Sequence, residues 1–217
     1  MFLFGAIRMD VISSPTFNGY PVLSQRGGLL ENILVGNEEV LVRAFKSHNR
    51  IAVMRFELKF PVGYIGPTEV ISKFFDSVRC RLKNDLAKKT VSRGRKIHSD
   101  IGYIWVKELS GAHGWHYHVA LLLNYDVYNC FGLINGRNIN MFNRILFSWA
   151  GALGYSVGDA RGLVHIPENS VYKLDRYSLT INEDIFSVLY RLSYLAKLKT
   201  KPYQSGSRMR FFGTSKR

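Results

Sequence analysis

The sequence predicts an α+β domain built on an antiparallel sheet of about five strands, flanked by helices. Three observations carry this. Met54, Phe56, Leu58 and Phe60 alternate with Arg55, Glu57 and Lys59, the period of a half-buried strand. Two β-rich runs, 101–109 and 115–123, are separated by Ser110-Gly111-Ala112-His113-Gly114 and read as an antiparallel hairpin. Segments with a 3.6-residue apolar period lie on either side of these.

Taken in order, residues 1–45 carry turn chemistry (Ser13-Ser14-Pro15, Arg26-Gly27-Gly28) and a helix-compatible run from Leu29 to Phe45. They are read as a poorly defined N-terminal arm or extension, ahead of a main domain at 46–217. The opening apolar residues are too few for a signal peptide and lack a basic flank. After the strand at 54–60, Thr68 is placed to cap a helix with Ile71, Phe74, Phe75, Val78 and Leu82 on one stripe, ended by Ser92-Arg93-Gly94-Arg95. The hairpin follows, then a helix from about Asn138 to Gly151 and a short strand at Leu163–Ile166 stopped by Pro167. A helix is expected over 182–199, with Thr180 and Glu183 at capping-box spacing and Pro202 beyond its end. A last edge strand is expected through Met209-Arg210-Phe211-Phe212.

The chain has 217 residues and a formal net charge of +14. Such an excess points to a polyanionic partner, because neutralised phosphates release counterions. An anionic membrane surface is the competing partner, but no stretch approaches the roughly 20 apolar residues of a span. The two cysteines, Cys80 and Cys130, lack metal-type spacing, which excludes a zinc ribbon and suggests reduced thiols in a cytoplasmic protein. No Gly-rich Lys-Ser/Thr phosphate loop is visible, and no small-molecule cofactor is implied.

The chemistry concentrates in two places. In His116-Tyr117-His118, strand alternation turns both imidazoles to one face. They are either two unrelated histidines at a strand end or a cation site. If the loop is residues 110–114, Glu108 pairs with His116 and adds a carboxylate to the same face; a one-residue slip would remove it. Two nitrogens and an oxygen suit Mg²⁺ or Mn²⁺, although imidazoles also suit Zn²⁺. His113 is a weaker ligand candidate. In the late helix, Tyr190, Tyr194 and Lys197 fall at i, i+4 and i+7, so two phenols and an ammonium share a stripe, while Ile185, Leu189, Leu192 and Ala196 face the core. Phenols packed at a rim are the plain alternative to a tyrosine nucleophile. Basic residues that suit DNA phosphates are Arg93, Arg95 and Lys96, then Lys201, Arg208 and Arg210.

A strand His-hydrophobic-His followed by helical Tyr194-Leu195-Ala196-Lys197 resembles the HUH endonucleases. The text around them, Gly114-Trp115-His116-Tyr117-His118-Val119-Ala120, Ser193-Tyr194-Leu195-Ala196-Lys197 and Phe212-Gly213-Thr214-Ser215, is similar to the YagK/YfjJ-type replication proteins of filamentous phages and prophages. The resemblance implies a bacterial host, His116 and His118 as metal ligands, Tyr194 as nucleophile, Lys197 as its charge partner and Tyr190 as a second tyrosine. It also implies a rolling-circle initiator that nicks single-stranded DNA at an origin, forms a 5′-phosphotyrosyl link and hands a 3′-hydroxyl to host polymerase and helicase. The strand 56–60 takes the place of the family's first motif without its usual threonine. A plasmid relaxase or transposase of the same class, and a non-catalytic single-strand-binding protein, are the alternatives. A cupin-like metal protein lacks its downstream glutamate here.

Overall fold

The computed structural model describes residues 10–64, 69–110, 114–134, 139–201 and 210–216, with nothing taken from the side chains of Arg26 and Ser110. Before the main sheet come two short antiparallel pairs, β1 (Val11–Ile12) with β4 (Leu29–Leu30) and β2 (Thr16–Phe17) with β3 (Tyr20–Pro21). The centre is an antiparallel sheet. Its strands are β5 (Arg50–Lys59), β6 (Gly102–Ser110), β7 (Gly114–Asn124), β8 (Val164–His165), β9 (Val171–Asp175) and β10 (Phe212–Thr214). They are ordered β10-β6-β7-β5, with β8 and β9 sharing the far edge of β5. The α+β expectation therefore holds.

The position of β5 explains its composition. It begins at Arg50, earlier than the alternation suggests, and Ile51 to Met54 are all buried because helices cover both faces. On one face α2 (Val70–Arg93) and α3 (Met141–Leu153) pack over Phe56, Leu58, Tyr117 and Val119. On the other, α1 (Glu31–Ser47) and α5 (Ile181–Ser193) cover Ile51, Val53, Ile104, Ala120 and Leu122. A short α4 (Val157–Ala160) follows α3.

Helix α2 buries the five residues its period predicts, and Gly94 ends it in the left-handed conformation at φ +60°. Thr68 and Asn138, the expected helix starts, lie outside the described residues. In α3 the cap is reciprocal: Asn140 Oδ1 accepts the Asn143 N–H at 3.0 Å and Asn143 Oδ1 accepts the Asn140 N–H at 3.2 Å. Asp85 ties α2 to α3, taking bonds from Lys89 at 2.6 Å, the Tyr128 hydroxyl at 2.8 Å and Arg144. Burial pushes that carboxyl up, but these donors outweigh it and hold it below its usual range.

Several expectations need correction. The late helix does not run to Lys199. It stops at Ser193, tightens into one 3₁₀ turn at Tyr194–Ala196, and leaves the helical path. The cause is tertiary: Lys197 forms an antiparallel bridge with Leu29, and the Leu198 N–H donates to the Gly28 carbonyl at 3.1 Å. Tyr190, Tyr194 and Lys197 therefore do not share one helical stripe. Thr180 takes the N-cap position as expected, but its side chain closes no capping box; its hydroxyl donates to Asp184 at 3.0 Å. The segment expected as an arm carries α1, whose Ile33, Leu34, Val40 and Leu41 are buried in the second core. Packing is thus continuous across residue 45. Close approach is built in: a Cβ on Gly36 of α1 would stand 2.8 Å from the Phe212 ring of β10. The closing strand is β10, slightly later than expected, with Met209 outside the described residues. Among the described residues no helix is long and apolar enough to cross a membrane.

Candidate metal centre

The hairpin fixes the site. Its register pairs Leu109 with Trp115 and Glu108 with His116, as expected, and runs one pair further, to Ser110 with Gly114, so only residues 111–113 separate the strands rather than 110–114. On the other side of β7, Glu57 pairs with His118 and Lys59 with His116. Alternation puts Tyr117 in the α2/α3 core and turns His116, His118, Glu108 and Glu57 toward the α1/α5 face.

There the three expected ligands meet, all buried, with one donor atom from each within 4.8 Å of the others. The His116 and His118 Nε2 atoms are 3.1 Å apart, and Glu108 Oε2 is 3.5 Å from His118 Nε2. His116 Nδ1 donates to the Gly114 carbonyl at 3.1 Å, which leaves its Nε2 lone pair facing inward. Two nitrogens each about 2.1 Å from one ion, at tetrahedral to octahedral angles, stand roughly 3.0–3.4 Å apart. The donor set therefore fits a divalent ion. Burial, helped by nearby His118, pushes the His116 imidazole below its ordinary value and favours the neutral, ligating form; the Gly114 bond opposes this.

Glu108 is 1% exposed. Its Oε2 accepts the Thr200 hydroxyl at 2.7 Å and its Oε1 accepts Lys201 Nζ at 2.5 Å, while Lys197 Nζ is 3.6 Å from Oε2. Burial alone would raise this carboxyl, but His118 and Lys201 prevail and keep it ionised, well below the ordinary range. Lys201, expected on DNA phosphate, is instead buried beside Glu108. Its position past the helix end hid that role, as it hid Thr200.

The 3₁₀ turn delivers the tyrosine. The Tyr194 ring meets His118 edge-on at 5.6 Å between centroids, and Lys197 Nζ is 4.0 Å from the Tyr194 ring centroid. Tyr190 is 39% exposed on α5, a turn earlier. Arg93, Arg95 and Lys96 lie elsewhere. Their loop runs to Ser99 and Asp100, which bond Asn124 and His48 at the opposite end of the sheet. Asn124 is eight residues along β7 from His116, roughly 26 Å at 3.3 Å per residue. Arg210 is exposed, its guanidinium 5.5 Å from the Trp105 ring centroid. His113 and Arg208 lie outside the described residues.

The sequence matches the YagK/YfjJ C-terminal domain family over residues 12–215. The chain belongs to that family. The match includes most of the segment expected as an arm and both halves of the site. Two Escherichia coli K12 relatives of this YagK/YfjJ-family chain are similar along much of it. Uncharacterized protein YagK is 35% identical over 139 residues, 64% of this chain and 66% of that protein. Uncharacterized protein YfjJ is 26% identical over 191 residues, 82% of this chain and 91% of that protein. The N-terminal nuclease domain of minute virus of mice non-structural protein-1 aligns with 14% identity and a TM-score of 0.24, covering 85% of this chain and 78% of that one. That similarity is too weak to bear on fold or function.

Proposed function

We propose that this chain is a rolling-circle replication initiator that nicks single-stranded DNA at an origin through Tyr194 and later rejoins it, assisted by Mg²⁺ or Mn²⁺. The observation that supports this reading is convergence. Glu108, His116 and His118 of one hairpin, all buried, meet the partly buried Tyr194 and the buried Lys197, far away in sequence, at one point.

His116, His118 and Glu108 would hold the ion, which when bound supplies Lewis-acid polarisation of the scissile phosphate. Lys201 is spent on Glu108, whereas Lys197, 3.6 Å from Glu108 and against the Tyr194 ring, would favour a phosphate anion beside the tyrosine. The Tyr194 phenolate oxygen, with the Lys197 ammonium close to its ring, forms a bond to phosphorus as the P–O3′ bond breaks. The fragment downstream of the nick stays on Tyr194 through its 5′ phosphate, as a phosphodiester, while the upstream fragment departs and its O3′ takes a proton to become the 3′-hydroxyl. Because one phosphodiester replaces another, no nucleotide triphosphate is consumed, and a later 3′-hydroxyl can reverse the step. Tyr190, exposed on α5, is assigned the second transfer at most. Arg93, Arg95, Lys96 and Arg210 serve as phosphate contacts away from the chemistry.

The test is covalent capture. The full chain is incubated with Mn²⁺ and single-stranded DNA spanning the region around its own coding sequence, then run on a denaturing gel. An adduct that survives detergent and heat in wild type and vanishes in Tyr194→Phe is expected. A complex seen only on native gels would favour the single-strand-binding alternative, and an adduct persisting in Tyr194→Phe would reject this nucleophile.

A further inference from the structure

The candidate centre occupies one face of the hairpin end, and the opposite face of that end carries side chains the chemistry does not use. Strand alternation turns Lys107, Leu109 and Trp115 away from Glu108 and His116. Trp115 directly precedes His116, and Phe60 follows Lys59, the residue that pairs with His116 across β5–β7. The Phe60 N–H donates to the Trp115 carbonyl at 3.3 Å, which brings the two residues together. Lys107 Nζ lies 4.8 Å from the Trp115 ring centroid and 5.6 Å from that of Phe60. The rings then continue from Phe60 to Tyr64 at 5.1 Å and from Tyr64 to Tyr155 at 6.4 Å between centroids. The row is open to solvent, with Leu109 48% and Tyr155 40% exposed and Trp115 half-buried.

Core packing accounts for Phe60 and Tyr64, which rest on the α2/α3 core, but Trp115 belongs to neither core. Burial pushes the Lys107 ammonium below its ordinary value, and no carboxylate among the described residues offsets this. A cation set among rings with its charge unspent attracts an anion. We infer that this row is a base-stacking track for single-stranded DNA, with unpaired bases on Trp115 and Tyr155 and a phosphate on Lys107. This rests on the single-strand part of the function proposed above. Every base has a π-face, so stacking of this kind tolerates any sequence. A duplex keeps its base faces covered, so the track selects unpaired DNA. The occupant follows from charge and place. The net charge of +14 favours a polyanion and opposes a second copy of the chain. Trp115 is the second residue of β7, so a strand leaving the centre past the hairpin end meets its ring first.

The experiment uses the full chain with chelator present, so that binding is read without cleavage. Trp105 and Trp149 are buried, so a base-induced change in tryptophan fluorescence reports Trp115. Oligo(dT) should quench it, and an abasic oligonucleotide of equal length should bind more weakly and not quench. Trp115→Ala should weaken oligo(dT) binding about 5- to 100-fold, read by anisotropy of a labelled strand, and leave the salt slope unchanged. Lys107→Gln should instead lower that slope by about 0.7, one phosphate's share. Trp115→Phe should lose the quench and keep the affinity, since Phe still stacks. Should Trp115→Ala fail to fold, Tyr155→Ala at the exposed end of the row decides by the same loss of affinity. Equal binding of oligo(dT) and the abasic strand overturns the inference, as does undiminished affinity in folded Trp115→Ala. A concentration-dependent dimer that Trp115→Ala dissolves would give this face to a second copy and overturn it too. A covalent adduct in wild type without any quench rejects the track and leaves the nicking reading standing. A base-dependent quench without an adduct does the reverse.

Discussion

The two ends of the central sheet carry nearly the same chemical inventory arranged to opposite effect. At one end are Glu108, His116 and His118; at the other, His48, His98 and Asp100, again two imidazoles and a carboxylate with donor atoms within 4.8 Å. In the first group all three residues are buried and the two Nε2 atoms face each other. In the second, His48 Nε2 already accepts the Asp100 N–H at 2.9 Å, and His98 and Asp100 are exposed. A lone pair spent on a backbone donor is not a ligand. The His48 group is therefore a latch joining the end of α1 to the loop before β6, while in the His116 group both Nε2 atoms turn toward one another and not toward a backbone donor. Which nitrogen faces which partner decides between the two, not the count of histidines.

The largest expected difference follows directly. His118→Ala should abolish high-affinity Mn²⁺ binding and DNA cleavage, while His98→Ala should leave one site of unchanged affinity. Calorimetry on both variants checks this. A stoichiometry near two in wild type, reduced to one in His98→Ala, would erase the distinction.

Next in size is a test that separates metal binding from stability. Glu108→Gln leaves the buried Lys201 ammonium without its anion, so it should destabilise the fold by about 3 kcal/mol as well as weaken metal binding. Adding Lys201→Met should restore much of the denaturation midpoint but none of the Mn²⁺ affinity. If the double variant regained metal binding, Glu108 would not be a ligand.

The far end also tests where phosphates are held. Arg93, Arg95 and Lys96 lead into the latch loop, remote from Tyr194. Replacing all three should flatten the log–log salt dependence of single-strand binding by about 2, at roughly 0.7 per phosphate, and leave adduct formation on saturating DNA intact. An unchanged slope would make this run a solvated face.

How much of this was legible follows from how local each feature is. The hairpin register was readable because the short Gly-containing turn between the two β-rich runs centres it, and with it the Glu108–His116 pairing. The α2 stripe was readable because its period is internal to the helix. The end of α5 was not: the 3.6-residue period runs on through Lys197, and only the distant Gly28–Leu29 main chain pulls it into an extended bridge. Glu57 was visible as a polar position on an alternating strand, yet nothing local says that β7 is its neighbour. The two-residue strands before α1 are too short to show any period at all.

The smallest expected effect concerns the latch. Burial holds the His48 imidazole below its ordinary value, helped by nearby His98 and opposed by Asp100 and Asp126. Protonation would put an N–H on Nε2, where the Asp100 N–H already points. The unfolded chain therefore takes up this proton more readily than the folded one. The latch's contribution should be complete above about pH 6.5, the unfolded histidine value, and be lost as pH falls below it toward the lower folded value. Its size should be near that of one hydrogen bond, about 1 kcal/mol. His116 is depressed in the same sense, so wild type alone does not isolate the latch. The difference between wild type and His48→Gln does, because an amide oxygen can accept from Asp100 and does not titrate. Urea denaturation with chelator present, at pH 7.5 and in steps down to pH 5, should show wild type losing stability faster than His48→Gln. Parallel curves would mean that the Asp100 N–H does not depend on a neutral His48, and the contrast between the two ends would rest on exposure alone.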